Sequence, residues 1–150
     1  MKINDTKRLS FRLLGEQDVD LFFKLDSDPA VMRFINGGVP HSIEDIQTKA
    51  IPRLMAYTDQ AKGYGMWGVF VKSSDEFIGW ILIRPMDYFS DSPEYDNLEI
   101  GWRFIQSSWG KGYATEAAQQ VKDAVAMQGN INAISAIAVS DNIGSINIMK

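Results

Sequence analysis

Between Leu98 and Met127 the chain switches from a strand pattern to a helix pattern with a glycine turn as the only break. Leu98, Ile100, Trp102 and Phe104 alternate with Glu99, Gly101, Arg103 and Ile105, which predicts a strand with one apolar face. Ser108 to Ala114 holds Gly110 and Gly112. From about Thr115 to Met127, Ala117, Val121, Ala124 and Val125 recur as a buried stripe, and Gln128-Gly129-Asn130 ends the helix. Ala133 to Val139 reads as a further strand. Neither the helix stripe nor the strand's apolar face can be left in water, so this unit demands a sheet with a helix laid against it.

The upstream sequence supplies the rest of that sheet. Met66–Val71 and Phe77–Ile83 are rich in β-formers, and Lys72-Ser73-Ser74-Asp75-Glu76 joins them as a hairpin loop. Arg8–Leu14 alternates loosely and is a candidate first strand. Val19, Phe22, Phe23 and Leu25 come next at near-helical spacing, after a Gly15–Asp18 start with early acids. Asp28–Phe34 reads as a short helix with Pro29 in its first turn, and Asn36–Pro40 as a loop. Ser42 with Asp45 suggests a capped start to a helix on which Ile43, Ile46, Ala50, Leu54 and Tyr57 share a face, with Pro52 kinking or splitting it. Pro85–Asp96 reads as an irregular excursion, and the last ten residues as the start of a helix. The expected class is α+β: a mixed, mostly antiparallel sheet flanked by helices, in one continuous domain over residues 1–150.

Composition narrows the chemistry. Cysteine is absent, which excludes disulfides, a thiol nucleophile and Cys-ligated metal, and the lone histidine, His41, excludes a two-histidine metal site. A net charge of -4 gives no general reason to hold nucleic acid or an anionic membrane. The start carries no signal-peptide pattern and no apolar run is long enough to cross a bilayer, so a cytoplasmic protein is expected.

A glycine turn opening a helix aims main-chain N–H groups and the positive end of the helix dipole at one spot, an arrangement suited to an anion. By itself the pattern reads more readily as a tight turn that needs glycine for its angles. The spacing is wrong for a Walker loop, because Lys111 is followed by Gly112, and a dinucleotide fingerprint lacks its third glycine.

Three segments together resemble the GNAT family of N-acetyltransferases: Glu99-Ile-Gly-Trp102, Trp109-Gly-Lys-Gly-Tyr-Ala-Thr-Glu-Ala117 and Asp141-Asn142-Ile-Gly-Ser145-Ile-Asn-Ile-Met-Lys150. Arg8–Leu13 and Asp28–Met32 resemble the opening of its RimJ/RimL-like, ribosomal-protein-alanine acetyltransferase branch. The resemblance implies acetyl-CoA in a V-shaped opening between two parallel strands, here Leu98–Ile105 and Ala133–Val139. It places the pyrophosphate on the amides of Gly110, Lys111, Gly112, Tyr113 and Ala114, with Thr115 beside them, and the pantetheine arm along the main chain of Trp102, Arg103 and Phe104. Asn142 matches a pantetheine contact and Ser145 a small residue near the cofactor; taken alone they read as an Asx turn and a surface serine. No metal is implied.

An ammonium cannot attack a thioester, because its lone pair carries a proton. At pH 7 neutralising a lysine amine costs roughly 4.6 kcal/mol and an α-amine roughly 1.4 kcal/mol. Glu99 is the candidate base, as the resemblance also implies, and equally reads as a strand carboxylate neighbouring Arg103. Met149 stands where many relatives carry a tyrosine acid, and Ser107 where many carry Gln or Arg. His41 reads as a surface or capping residue, the four tryptophans as core or cleft wall, and Asp87, Asp91, Glu94 and Asp96 as a solvated acidic loop. Relatives usually continue past the Lys150 position with two more strands, so the expectation is a C-terminally incomplete domain whose open edge a partner chain covers, as a homodimer or through an exchanged element. The expected function is acetyl transfer to a primary amine, on a peptide N-terminus or a small molecule. The alternative is a CoA-binding protein without efficient turnover.

Overall fold

A computed structural model describes residues 3–28, 42–59, 61–86, 94–105, 108–127 and 133–136. Its centre is a five-stranded sheet in the order β1 (Leu9–Leu13), β2 (Gly65–Val71), β3 (Glu76–Met86), β4 (Glu94–Phe104), β5 (Ala133–Ala136). The first three pairings are antiparallel. β5 runs parallel to β4, from Asn97 opposite Ala133 to Ile100 opposite Ala136. Helix α4 (Tyr113–Ala126) makes the crossover between those two strands. The β2–β3 hairpin closes as expected: Asp75 adopts φ 59°, and its N–H donates to the Val71 carbonyl at 2.7 Å.

Cross-strand register sorts the two faces of the sheet. Trp80, Leu82 and Arg84 lie opposite Arg103, Gly101 and Glu99, so these six share one face. Helix α1 (Val19–Asp26) covers one end of it, where Asp26 meets Arg103. The other end lies under α3 (Ile51–Tyr57), where Tyr57 meets Arg84. The opposite face carries Trp67, Val69, Ile81, Ile83, Leu98 and Ile100, all buried. That leaves it for α4, which packs along β3 and β4 through the expected stripe of Ala117, Val121 and Val125, each 0% exposed. Burying such side chains stabilises the domain by about 1.5–3 kcal/mol for each large one.

Two expectations need correction. Pro85–Asp96 is not wholly irregular: β3 continues to Met86 and β4 begins at Glu94, with Pro85 opposite Leu98 and Met86 opposite Glu94. A register shift between Pro85 and Met86 accommodates the residue that cannot donate to the ladder. Glu94 and Asp96 therefore belong to a strand, not to an acidic loop. The second correction concerns the face predicted from Ile43. Helix α2 (Ile43–Asp45), capped by Ser42, passes through a π-helical turn at Ile46–Ala50 before α3, with Pro52 in the first turn of α3. The wide turn inserts one residue into the helical count and rotates the downstream side chains by about 100°. Ile51 is consequently buried in the place expected of Ala50, alongside Ile46, Leu54 and Tyr57, while Ile43, ahead of the wide turn, is exposed. The readings at Pro29–Phe34, Asn36–Pro40, His41 and residues 137–150 lie outside the described residues.

Candidate functional site

β4 ends at Phe104, and the turn beyond it is pinned to it. Ser108, itself buried, donates both N–H and Oγ to the Ile105 carbonyl, at 3.0 and 2.7 Å. The Trp109 indole donates to the Phe104 carbonyl at 2.9 Å while much of its ring stays exposed. Gly110 and Gly112 then adopt φ 77° and 79°, the left-handed region in which a side chain is strained. Gly112 is the N-cap of α4 and has no side chain to cap with. The Glu116 N–H is the first to reach back to it, at 3.0 Å to the Gly112 carbonyl. Among the described residues, the main-chain N–H groups of Tyr113, Ala114 and Thr115 thus remain for a ligand, together with the dipole of a helix of 14 residues.

Arg8, just ahead of β1, holds this turn from the side. Its Nε donates to Glu116 Oε1 at 2.7 Å and its Nη1 to the Lys111 carbonyl at 3.0 Å. The main-chain N–H of Arg8 reaches Glu116 Oε2 at 3.2 Å, and the Thr6 hydroxyl donates to the same oxygen. The guanidinium lies over the Tyr113 ring, 4.4 Å from its centre. Partial burial works to raise the Glu116 carboxyl. The hydrogen bonds from Thr6 and Arg8, with the Arg8 charge, outweigh it and hold the group below its ordinary value.

A second polar cluster occupies the sheet face under α1 and α3. Arg84 Nη2 donates to Glu99 Oε2 at 3.1 Å, with both side chains largely buried. The same guanidinium sits 5.4 Å from the centre of the Tyr57 ring. Burial pushes the Tyr57 hydroxyl up to about 12, against the opposing pull of the Arg84 and Arg53 charges. Further along, Arg103 Nη1 donates to Asp26 Oδ1 at 2.6 Å and its guanidinium lies over Trp80.

The sequence-derived candidates divide accordingly. Gly110, Lys111, Gly112, Tyr113, Ala114 and Thr115 come together in the turn, with the first three and Thr115 exposed. Trp102 packs half-buried against the core and Phe104 is 4% exposed, so Phe104 can offer a ligand only its main chain. Arg103 offers neither side chain nor main chain, because its side chain is committed to Asp26 and its main chain, two residues before the Ile105–Ile78 hydrogen bond, faces Trp80 in the ladder to β3. Among the described residues β5 pairs with β4 only as far as Ile100, which leaves that edge of the strand from Gly101 to Phe104 without a described strand beside it. Glu99 is on the expected face, but its partner is Arg84 and not Arg103. It lies about 17 Å along β4 from Phe104 at strand spacing. Asn142, Ser145, Ser107 and Met149 fall outside the described residues. Sequence reasoning missed Thr6, Arg8 and Glu116 as partners of the turn; the only local signal was an acid in the first turn of the helix.

Comparison with known proteins agrees with this geometry. The acetyltransferase (GNAT) domain family matches residues 8–150. An FsC-acetyl coenzyme A-N(2)-transacetylase of Aspergillus fumigatus is 32% identical over 118 residues, 77% of this chain and 49% of that protein. The chain thus spans about half the length of that relative. The uncharacterized N-acetyltransferase YnaD of Bacillus subtilis is 31% identical over 147 residues, 97% of this chain and 78% of its own. Among solved structures, a GNAT-family acetyltransferase from Bacillus anthracis superposes with a TM-score of 0.77 at 25% identity, covering 99% of this chain and 80% of that one.

Proposed function

This chain belongs to the GNAT acetyltransferase family, and from that membership we propose that it is an acetyl-CoA-dependent N-acetyltransferase acting on a primary amine. The observation that carries the reading is the turn at Gly110–Gly112: two left-handed glycines in front of three uncapped helix N–H groups, at the end of the strand that pairs in parallel with β5. A Cβ at Gly112 would stand 3.4 Å from Arg8 Nη2, while one at Gly110 would meet nothing. The cradle is open to an anion and would be narrowed by side chains, which fits a diphosphate. The turn amides from Gly110 to Ala114, with Lys111 and Thr115 exposed beside them, would hold that group, and the main chain of Trp102 and Phe104 would line the arm. We assign Asn142 and Ser145 to the same cofactor on the strength of the resemblance. When bound, acetyl-CoA supplies an activated acyl carbon and a thiolate leaving group, whose ordinary pKa of about 8.5 asks little of an acid.

The acceptor end is assigned to Glu99. Arg84 takes Oε2, so the second carboxylate oxygen is the one to receive a proton from the amine, directly or through water. Arg84 also contributes a positive charge, which disfavours the ammonium form of a nearby acceptor. A peptide α-amine needs the smaller correction, so we favour an acceptor of that acidity, a peptide N-terminus or a small-molecule amine of similar pKa. The Arg8–Leu13 opening supports placement in the RimJ/RimL-like branch. The ion pair on Glu99 also favours a second reading, a CoA-binding protein with weak turnover, because a carboxylate tied to a guanidinium is less free to reach an amine.

Calorimetry with acetyl-CoA and then a thiol-release assay over an amine panel test both. Binding with turnover supports the enzyme. Binding without turnover on any amine selects the second reading, and absence of binding at millimolar acetyl-CoA overturns both.

A further inference from the structure

Among the described residues, Arg8 is the one side chain from outside the turn that grips both of its ends. Nη1 holds the Lys111 carbonyl inside the turn, Nε holds Glu116 one helical turn beyond it, and the plane of the guanidinium covers Tyr113 between them. The Glu116 carboxylate is fixed in return by the Thr6 hydroxyl and the Arg8 main-chain N–H. An ion pair whose partners are 40% and 22% exposed contributes little to folding. Its worth lies in geometry. Across a trans peptide bond the carbonyl and the next residue's N–H point in opposite directions. Drawing the Lys111 carbonyl toward Arg8 therefore turns the Gly112 N–H the other way, away from the guanidinium.

We propose that Arg8 is a positioning residue for the anion-binding turn, fixing the Lys111–Gly112 peptide with its N–H outward before the cofactor arrives. The inference rests on the reading of this turn as a diphosphate cradle. With two glycines in the left-handed region, the backbone has other conformations open to it, and each would cost ordering on binding. The contact calls for arginine specifically. A lysine ammonium in the same place carries the charge but cannot bridge a carbonyl, a carboxylate and an aromatic face from one rigid fork.

The test pairs acetyl-CoA calorimetry with backbone amide relaxation of the cofactor-free protein, on the whole chain. For Arg8→Ala the expected results are an acetyl-CoA Kd raised about tenfold and lower order parameters at Gly110 and Gly112, with Val121 in the helix interior unchanged. Arg8→Lys should recover little of the affinity. Should Arg8→Ala fail to fold, Glu116→Gln and Thr6→Val each release one tether and should raise Kd about threefold. Unchanged affinity, full recovery by lysine, or weakened binding with the turn as ordered as in the wild type would each overturn the proposal. No heat from wild-type protein would instead overturn the acetyl-CoA reading and remove the cofactor role of Arg8 with it.

Discussion

The turn before α4 and the sheet face under α1 and α3 are two polar regions built on opposite plans. In the turn the groups unpaired among the described residues are main-chain N–H groups, side chains are absent at Gly110 and Gly112, and Arg8 braces the loop from outside. On the sheet face the polar groups are side chains locked in buried pairs, Glu99 with Arg84 and Asp26 with Arg103. A main-chain site tolerates almost any change that preserves its conformation. A paired side-chain site tolerates almost none, since each member left alone keeps a buried charge.

The largest expected effect falls on the second plan. Asp26→Ala strands the Arg103 guanidinium, 15% exposed, and should cost about 3 kcal/mol of stability in urea denaturation, whereas Gly110→Ala should cost about 1 kcal/mol. Equal losses would erase the contrast. Next comes Gly112→Glu, which adds strain, bulk and negative charge to the cradle. Acetyl-CoA affinity should fall about a hundredfold by calorimetry, roughly 3 kcal/mol, with circular dichroism unchanged. Retained affinity would show that the turn is not where the anion sits. Glu99→Gln should lower kcat/KM about tenfold at neutral pH with cofactor Kd unaltered, and the deficit should shrink as pH rises and the amine loses its proton unaided. A deficit constant across pH would remove Glu99 as base.

Smaller effects lie in the titrations. Tyr57 is raised to about 12, so its contribution to stability is complete below the ordinary value of 10.0 and is lost as pH rises through the folded value. Absorbance titration should show one of the five tyrosines ionising near 12, absent in Tyr57→Phe. Glu116 is shifted the other way. Its contribution is present above 4.5 and is lost as pH falls through the lower folded value. Glu116→Gln should therefore flatten the acid limb of the stability profile slightly.

Legibility in the amino-acid sequence divides the same way. The strand, the turn and the stripe of α4 are written in consecutive residues, and the hairpin at Lys72–Glu76 is equally local, so periodicity alone located them. The pairings that finish each region are not local. Arg8 and Glu116 are 108 positions apart and Asp26 and Arg103 are 77 apart, and no spacing rule links them. Arg103 could thus be taken for a neighbour of Glu99, which it is along the strand, although each carries a different partner across the fold. Ile51 was missed for another reason. A helical repeat assumes 3.6 residues per turn throughout, and the wide turn at Ile46–Ala50 breaks that count, so that Ile51 takes the buried place expected of Ala50.

That wide turn acts as a slip joint. Ile46 lies at its start and Ile51, Leu54 and Tyr57 beyond it, and all four are buried, so the extra residue keeps both halves of the segment facing the core and the ring of Tyr57 over Arg84.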